Sequence, residues 1–292
     1  MKMSAALTIR VVTSLEEFKG LAREWEELLD RVPGHSLFLT WEWLYYWATH
    51  HLEDGQLRIL LASDEHECLV GIAPLYLRRT KAQGLISVRE LRWLGSEAVC
   101  SSYLDFIVQE RHKPALLQRL YRYLFNEARG EWDMLTLSDV PAESSTLDLW
   151  NELFAEAGKV GEVVRMTSCP VVRLPRDVGS YRAGLGRNRR YTLQRKTKCL
   201  AEAGLVHFTL ATNPADVEAA FESVVALHQQ RWSPRPGGGV FADERAKRFH
   251  RDIVRVLSER GRASLDLLLL DGRPIAGIYG FVYQGAYYFY LP

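Results

Sequence analysis

Three side chains at the end of one predicted helix have types and a spacing that suit ligand binding. His228, Arg231 and Trp232 stand at positions i, i+3 and i+4, so a helix places them on one face. They directly precede a helix breaker and the glycine run 237–239. An imidazole and a guanidinium beside a flexible loop suit a polar ligand. The alternative is a buried histidine, because His228 continues the apolar stripe of its helix.

A basic segment lies upstream of that motif. Residues 182–198 contain seven arginines and lysines and no aspartate or glutamate. Arg187, Arg190 and Arg195 fall near one face of a helix with a period of 3.6 residues. A guanidinium pairs with both oxygens of a phosphate or carboxylate, so the segment predicts an anionic ligand. A solvated helix face and a nucleic-acid contact are the alternatives that remain open.

Aromatic and acidic residues supply further candidates. Tyr288 and Tyr290 share one face of a predicted strand over 286–291, and either hydroxyl can assist proton transfer, with core packing as the alternative. Phe241 follows the glycine run, which predicts either the anchor of a hinge or lid or a plain linker. Asp105 interrupts an apolar strand predicted over 103–108, where a carboxylate must be paired or lie near a cleft.

Composition and missing motifs argue against several classes of function. The 37 basic and 36 acidic residues give a net charge of +1, which does not suit a chain that binds nucleic acid or membranes over its whole surface. None of the four cysteines forms a Cys-x-x-Cys pair, so neither a disulfide scaffold nor a metal site is predicted. The sequence lacks the serine-hydrolase elbow, the zinc-protease motif, the dinucleotide fingerprint and the Walker loop. With no signal-peptide core, the expected location is the cytoplasm.

The elements that must position these residues alternate between strands and helices, which predicts a mixed α/β fold. The predicted helices that bear on the site cover 15–31, 180–203 and 213–232, and the predicted strands cover 103–108, 160–174 (one or two strands), 263–270, 274–282 and 286–291.

The two halves of the chain share an order of elements, which indicates a weak internal repeat. In each half, a pair of helices leads to a strand, a turn and a strand that contains Val70-Gly71-Ile72-Ala73 or Ile275-Ala276-Gly277-Ile278. The repeat predicts two domains, 1–175 and 176–292. Because the second half stops at Pro292 within a strand, its domain is expected to lack roughly its last 70–90 residues by comparison with the first.

Several short motifs in a fixed order resemble a known family. They are Leu185-Gly186-Arg187-Asn188-Arg189-Arg190-Tyr191, His228-x-x-Arg231-Trp232, Gly239-Val240-Phe241 and Ile275-Ala276-Gly277 before a tyrosine-rich strand. In this order they resemble the FemAB-like branch of the GNAT acyltransferases, in particular the CelD-type acetyltransferases associated with cellulose and exopolysaccharide biosynthesis. The first half of the chain is similar to the same group at 41–47, 73–75, 91–95 and Asp105.

The resemblance implies two tandem GNAT-like domains, the second incomplete, and an N-acyltransferase. In such enzymes an acyl thioester, usually acetyl-CoA, lies where two adjacent strands splay apart, and a backbone N–H polarises its carbonyl group. An amine attacks the carbonyl carbon, and CoA leaves. The chemistry is mostly positioning and oxyanion stabilisation. The splayed strand here would be 286–291, and the glycine turn that holds the CoA pyrophosphate is expected beyond Pro292.

The residue roles that the resemblance implies complete the hypothesis. The catalytic candidates are His228, Tyr288 and Tyr290, and the substrate-binding candidates are Arg187, Arg190, Arg231, Trp232, Phe241 and Asp105. The acceptor is expected to be an amine on an anionic small molecule or sugar precursor, with acetyl-CoA as co-substrate. Two alternatives remain open, an aminoacyl-tRNA-dependent peptidyltransferase and a non-catalytic RNA-binding or scaffold module.

Overall fold

The computed structural model describes residues 7–53, 55–82, 84, 86–97, 99–211 and 213–291. Helices and strands alternate along the described residues, which confirms the mixed α/β class. The chain divides into two compact units. Unit 1 comprises the described residues up to 163 together with 240–257, and unit 2 comprises 164–239 together with the described residues from 258 onward. The domain boundaries drawn from the sequence stay a prediction.

Helices of both units are short to moderate in length. The α-helices are α1 (Leu15–Gly20), α2 (Ala22–Leu29), α3 (Trp41–His51), α4 (Lys113–Arg122), α5 (Ser145–Glu156), α6 (Val178–Gly184), α7 (Arg187–Ala203), α8 (Pro214–Trp232) and α9 (Glu244–Glu259). Side chains cap the N-termini of several of these helices. Ser14 accepts a hydrogen bond from the Glu17 N–H at the start of α1, and Asn213 accepts one from the Asp216 N–H at the start of α8.

Three four-stranded sheets are formed by the described strands. These are β1 (Thr8–Val12), β2 (Gln56–Leu57), β3 (Ile59–Ser63), β4 (Leu69–Ala73), β5 (Leu75–Ala82), β6 (Ile86–Trp93), β7 (Ile107–Val108), β8 (Met134–Thr136), β9 (Val206–Ala211), β10 (Ala263–Leu270), β11 (Arg273–Tyr283) and β12 (Ala286–Leu291). Their orders are β1-β3-β4-β7, β2-β5-β6-β8 and β12-β11-β10-β9, and only the β6–β8 pair is parallel among these ladders.

Two tryptophans in the core of unit 1 have indole N–H groups that donate to nearby oxygens. Trp25 and Trp43 are fully buried. The Trp25 Nε1–H donates to the Leu39 carbonyl at 2.9 Å, and the Trp43 Nε1–H donates to the Ser101 hydroxyl at 2.8 Å. Such bonds remove the cost of burying an indole N–H, so the large apolar rings can fill the core.

Unit 2 places α8 against one face of the sheet formed by β9 to β12. Leu265 and Tyr279 on that face are fully buried, and the Phe221 ring of α8 lies 6.0 Å from the Tyr279 ring. A Cβ added at Gly277 would come within 3.0 Å of the Val224 side chain. In unit 1 the corresponding Gly71 is covered in the same way by Leu116 of α4. Each glycine therefore lets a helix approach the second strand of a hairpin, although α8 precedes its hairpin in the chain and α4 follows its own.

Two predicted helices are each divided in two. The helix predicted over 15–31 is α1 and α2, because the Leu21 N–H bonds the Phe18 carbonyl at 3.1 Å and closes α1 with a tight turn after Gly20. The helix predicted over 180–203 is α6 and α7. There Leu185 and Gly186 are extended, with ψ near 150°, and Gly186 becomes the N-terminal cap of α7.

Two predicted strands differ from the structure. The strand predicted over 103–108 is reduced to β7, because Tyr103 has φ of 57°, a left-handed conformation that no regular strand contains. The strands predicted within 160–174 are wrong, since these residues form no described strand and Val160 and Val171 are exposed. Their β-branched side chains favour extended backbone, but a strand also needs a neighbouring ladder and a surface to cover.

None of the helices in the described segments combines the length and the apolar character that a membrane span requires.

Candidate active site

The strand predicted to receive the thioester, β12, lies at one end of the unit 2 sheet among the described strands. It pairs antiparallel with β11 alone among those strands. Gly280 pairs with Phe289 and Tyr279 pairs with Leu291, so Tyr290 is an additional residue of β12, and the strand carries a β-bulge there. Bulges re-aim side chains and are frequent beside active sites. An edge strand also offers backbone donors and acceptors to an extended ligand.

Both candidate tyrosines lie on the sheet face that α8 covers. Tyr288 stands opposite Phe281 in the register, and the Tyr290 ring lies 5.5 Å from the Tyr279 ring and 5.6 Å from the Phe281 ring. Tyr288 and Tyr290 are half-buried, whereas Tyr279 and Phe281 are fully buried. The two candidates therefore border the core of unit 2, where a phenol keeps its ring in apolar contact and its hydroxyl at the margin.

His228 and Trp232 form the wall of a small polar corner at the end of α8. Their rings lie 5.9 Å apart and nearly parallel, and a Cβ added at Gly239 would collide with His228 Cε1. Gly239 has φ of +78°, so both its conformation and the nearby imidazole require a glycine there. The Arg231 and Arg235 guanidinium groups lie 5.9 Å and 4.7 Å from the Trp232 ring.

Burial sets the protonation of His228. Only 5% of the residue is exposed. Burial lowers its pKa below the usual value for histidine, and the positive charge of Arg231 lowers it further. The imidazole is therefore neutral at pH 7 and able to accept a proton. The same burial fits the alternative in which His228 continues the apolar stripe of α8.

The structure does not bring His228 to the two tyrosines. Phe221 contacts Tyr279, and Val224 lies against Gly277, so α8 runs toward the start of β11. His228 comes seven residues after Phe221, which is roughly 10 Å farther along the helix axis at 1.5 Å per residue. Tyr288 lies in the other direction, opposite Phe281. The three candidate catalytic residues thus form two separate places within unit 2.

Two candidate arginines of the basic helix have different surroundings. Arg187 is exposed at the first turn of α7. Arg190 is also exposed, but its guanidinium donates to the Ala183 carbonyl at 2.9 Å and to the Leu185 carbonyl. Arg190 therefore joins α6 to α7, which is a structural use of the side chain, whereas Arg187 projects from the exposed surface of the helix.

The remaining candidates, Phe241 and Asp105, lie in unit 1. Phe241 is fully buried, and its ring lies 5.7 Å from that of His250, so packing accounts for it. Asp105 accepts hydrogen bonds from the Ser144 hydroxyl at 2.5 Å, from the Thr146 hydroxyl at 2.7 Å and from the Phe106 N–H at 2.7 Å. The Lys113 ammonium lies 3.5 Å from the same carboxylate. The carboxylate is paired, which is one of the two outcomes that its apolar context predicted.

One polar group that sequence reasoning missed lies on the other face of the unit 2 sheet. Ser264 and Asp266 of β10 lie on this face, and the Tyr287 hydroxyl of β12 lies over Gly280, the residue that pairs with Ser264. Burial raises the pKa of the Asp266 carboxyl, which the nearby Ser264 hydroxyl opposes, and burial also raises the pKa of Tyr287. The available signal was an aspartate inside the apolar run of residues 265–270, the same signal that identified Asp105.

A second missed group is a set of histidines in unit 1. His51 and His250 are buried, and His50 Nε2 lies 2.8 Å from Asp252 Oδ2. Burial lowers the pKa of His51 to about 4, and burial together with the neighbouring His51 lowers that of His250 to about 3, so both rings are neutral at pH 7. Within the described residues no three histidine, cysteine, aspartate or glutamate side chains are arranged to hold a metal ion.

Comparison with known proteins places a family domain in the second half of the chain. Residues 187–292 match the family described as the acetyltransferase (GNAT) domain. The matched region contains α7, α8, α9 and the strands β9 to β12. A search of curated proteins found no match.

Solved structures of acetyltransferases are among the similar chains. Glucosamine-6-phosphate N-acetyltransferase from Arabidopsis thaliana is 14% identical, with a TM-score of 0.33, and the alignment covers 56% of this chain and 98% of that one. Ribosomal-protein-alanine N-acetyltransferase from Brucella melitensis is 17% identical, with a TM-score of 0.29, covering 58% and 100%. A conserved protein of unknown function from Bacteroides thetaiotaomicron is 11% identical, with a TM-score of 0.43, covering 94% and 75%.

The family match agrees with the resemblance seen in the sequence at the level of the GNAT domain. It supports acyl transfer as the general chemistry of residues 187–292, with an acyl-CoA donor and an amine acceptor. The strand predicted to bind the thioester, β12, lies within the matched residues.

Proposed function

We propose that the protein is an acyl-CoA-dependent N-acyltransferase that moves an acetyl group from acetyl-CoA to an amine. A polysaccharide or envelope precursor is the acceptor in this proposal, which assigns the chain to the FemAB-like, CelD-type branch and to the cytoplasm. The observation that carries the proposal is that β12, within the matched GNAT domain, lies at the edge of its sheet among the described strands and has a bulge at Tyr290. An extended thioester needs such an edge to align its carbonyl group.

The reaction requires little more than alignment and stabilisation of charge. The unprotonated amine nitrogen attacks the thioester carbonyl carbon and forms the C–N bond, and the carbonyl oxygen gains negative charge. The C–S bond then breaks and the sulfur leaves as a thiolate, and the proton that the nitrogen releases returns through water to the tyrosine that protonates the sulfur. Backbone N–H groups of β12 would stabilise the oxyanion, and the Tyr288 or Tyr290 hydroxyl would protonate the thiolate.

The polar corner at the end of α8 takes a different role in this proposal. Because His228 lies roughly 10 Å beyond the level of Tyr279, it serves the acceptor rather than the thiolate. Arg231 and Trp232 would bind the portion of the acceptor that is remote from the amine, and Arg187 would pair with an anionic group. Arg190, Phe241 and Asp105 keep the structural contacts described above, and they contribute to substrate binding only through those contacts.

Calorimetric titration of the full chain with acetyl-CoA tests this proposal. We expect a measurable heat of binding with acetyl-CoA, and similar binding by a Tyr181→Phe variant, whose substitution lies on α6. A chain that gives no heat of binding with acetyl-CoA, while its circular dichroism shows a folded α/β protein, would contradict the proposal.

The exposed basic surface of α7 favours a second candidate, the use of aminoacyl-tRNA as acyl donor. The helix carries Arg187, Arg189, Arg195, Lys196 and Lys198 on an exposed surface. Binding of tRNA through these groups should weaken steeply with salt. If the chain retains tRNA and the Arg187→Ala and Arg189→Ala substitutions abolish this retention, the result would favour this candidate. The same result without acyl transfer would favour an RNA-binding module. No retention at low salt removes both.

A further inference from the structure

The second face of the unit 2 sheet is apolar and exposed apart from one carboxylate. Alternate residues of the four strands point to this face, away from α8, because side chains alternate along a strand. The exposed apolar residues among them are Phe208, Leu210, Ile278, Val282 and Phe289. Asp266 stands between Leu210 of β9 and Ile278 of β11 in the register. It is the acidic group that this apolar surface surrounds.

Asp266 lacks the partners that a half-buried carboxylate normally has. Its Oδ1 atom is buried and has no hydrogen-bond partner among the described residues. No ion pair of Asp266 is found among the described side chains, although Asp105 in unit 1 has both an ammonium and two hydroxyl groups. Removing a carboxylate oxygen from water without a compensating donor costs free energy. Such a group is typical of a site where a ligand supplies the missing donor.

The surrounding residues hold Asp266 from one side and leave the other open. Ser264, which is 8% exposed, lies two residues before Asp266 on the same face and pairs with Gly280, over which the Tyr287 hydroxyl lies. Tyr287 reaches Ser264 across β11 because Gly280 has no side chain: a Cβ there would stand 2.6 Å from the Tyr287 hydroxyl oxygen. Gly280 and Tyr287 therefore build an aromatic and hydroxyl wall beside the carboxylate. A negative charge, an aromatic ring and apolar walls are complementary to an organic ammonium group.

We propose that Asp266, beside Ser264 and Tyr287, binds the ammonium group of an organic cation with an apolar or aromatic body. This inference goes beyond the proposed function, because it adds a cation site on the sheet face opposite Tyr288 and Tyr290. The N–H groups of the ammonium donate to the buried Oδ1 of Asp266, and the apolar body lies on Ile278 and Leu210. Tyr287 and Ser264 border the carboxylate and limit the directions from which the cation reaches it.

Ligand-observed NMR with two probe molecules tests the site without acyl transfer. The probes are benzylammonium and the neutral benzyl alcohol, which has nearly the same shape. We expect the full chain to bind benzylammonium at least tenfold more tightly than benzyl alcohol, about the effect of one charge-assisted hydrogen bond of 1.4 kcal/mol. Asp266→Asn should abolish that preference. Glu218→Gln, which removes an exposed carboxylate from α8, should retain it.

A stability measurement separates loss of the site from loss of the fold. Because the Asp266 carboxylate is half-buried without an ion partner among the described groups, Asp266→Asn should leave the thermal midpoint unchanged or higher, whereas Ser264→Ala should weaken benzylammonium binding only several-fold. Equal affinity of wild type and Asp266→Asn for benzylammonium would overturn the inference, and so would the absence of any preference in the wild type.

The outcomes also separate this inference from the proposed function. If the chain acetylates amines but Asp266→Asn binds benzylammonium as tightly as wild type does, the inference fails and the proposed function stands. If benzylammonium binds at Asp266 but no amine is acetylated, the ammonium site stands and the proposed function fails.

Discussion

Lowering the pH should destabilise unit 1 because its two buried histidines take up protons when the chain unfolds. Replacing one of them should halve the loss in the free energy of unfolding. His51 packs against the Trp47 and Phe249 rings at 6.0 Å and 5.6 Å, and its Nε2 has no hydrogen-bond partner within the described structure. Phenylalanine at this position keeps the aromatic contacts and removes the titrating group. His51→Phe is therefore the perturbation that isolates proton uptake from packing.

The magnitude follows from the lowered pKa values. Burial lowers the pKa of His51 to about 4 and that of His250 to about 3, with His51 also lowering the latter, against about 6.5 in the unfolded chain. A histidine whose pKa is lowered in the folded state binds protons mainly when unfolded, so its stabilising contribution is complete above about pH 6.5 and is lost as the pH falls. As the pH falls from about 7 to about 5.5, each histidine lowers the free energy of unfolding by about 1.2 kcal/mol, and the two together lower it by about 2.5 kcal/mol.

Urea unfolding followed by tryptophan fluorescence measures this loss. Of the eight tryptophans, only Trp232 lies in the residue ranges of unit 2, so the signal reports mainly on unit 1. We expect His51→Phe to lose about 1.2 kcal/mol less than wild type between about pH 7 and about pH 5.5. His66→Gln, which removes an exposed histidine, should lose as much as wild type. If His51→Phe and wild type lose the same free energy, the assignment of the acid sensitivity to buried histidines is refuted.

Three further substitutions test the positions that hold the site and the fold. Gly280→Ala should destabilise the chain by about 1–3 kcal/mol in urea unfolding, because its Cβ would lie 2.6 Å from both the Tyr287 hydroxyl and a backbone oxygen. Gly184→Ala is the control, because a Cβ there meets open space, and it should be neutral or stabilising. Asp105→Ala should cost about 1–3 kcal/mol in urea unfolding, because it leaves the Ser144 and Thr146 hydroxyls without their acceptor, while Glu110 still pairs with the buried Lys113 ammonium. Asp148→Ala on the exposed surface of α5 is the matched control, and a loss no larger than that of the control would disprove the structural role. Arg190→Ala should increase hydrogen exchange at the corner between α6 and α7, and unchanged exchange there would count against its carbonyl contacts as the link.

Local patterns predicted much of the fold because the physics that sets them is local. The cap at Asn213, the final three strands and the alternation that separates Tyr288 from Tyr287 all follow from residues close in sequence. The break at Leu21 was not predictable from the apolar stripe, because the stripe continues through it on both sides. The prediction of strands within 160–174 was wrong for a different reason. The residue types there favour extended backbone, but no described strand pairs with them.

The candidate site was harder to predict because its contacts depend on register. His228 and Tyr288 are both near the ends of their elements, yet the pairing of Phe221 with Tyr279 places them in different regions of unit 2. The contact between Ser264 and Tyr287 requires that Gly280 lie between them in the sheet, which no single strand reveals. Asp105 and Asp266 look alike in sequence, and only their partners distinguish a paired carboxylate from one that lacks a donor.

Release of free thiol from acetyl-CoA, measured with and without an added amine, tests the central claim most directly. The account predicts that the full chain releases thiol only when a suitable amine is present, with acetylated amine formed in equal amount. Tyr288→Phe and Tyr290→Phe together should slow this release by about a hundredfold while acetyl-CoA still binds. Thiol release that does not depend on the amine, or none with a broad set of cationic and neutral amines, would contradict it.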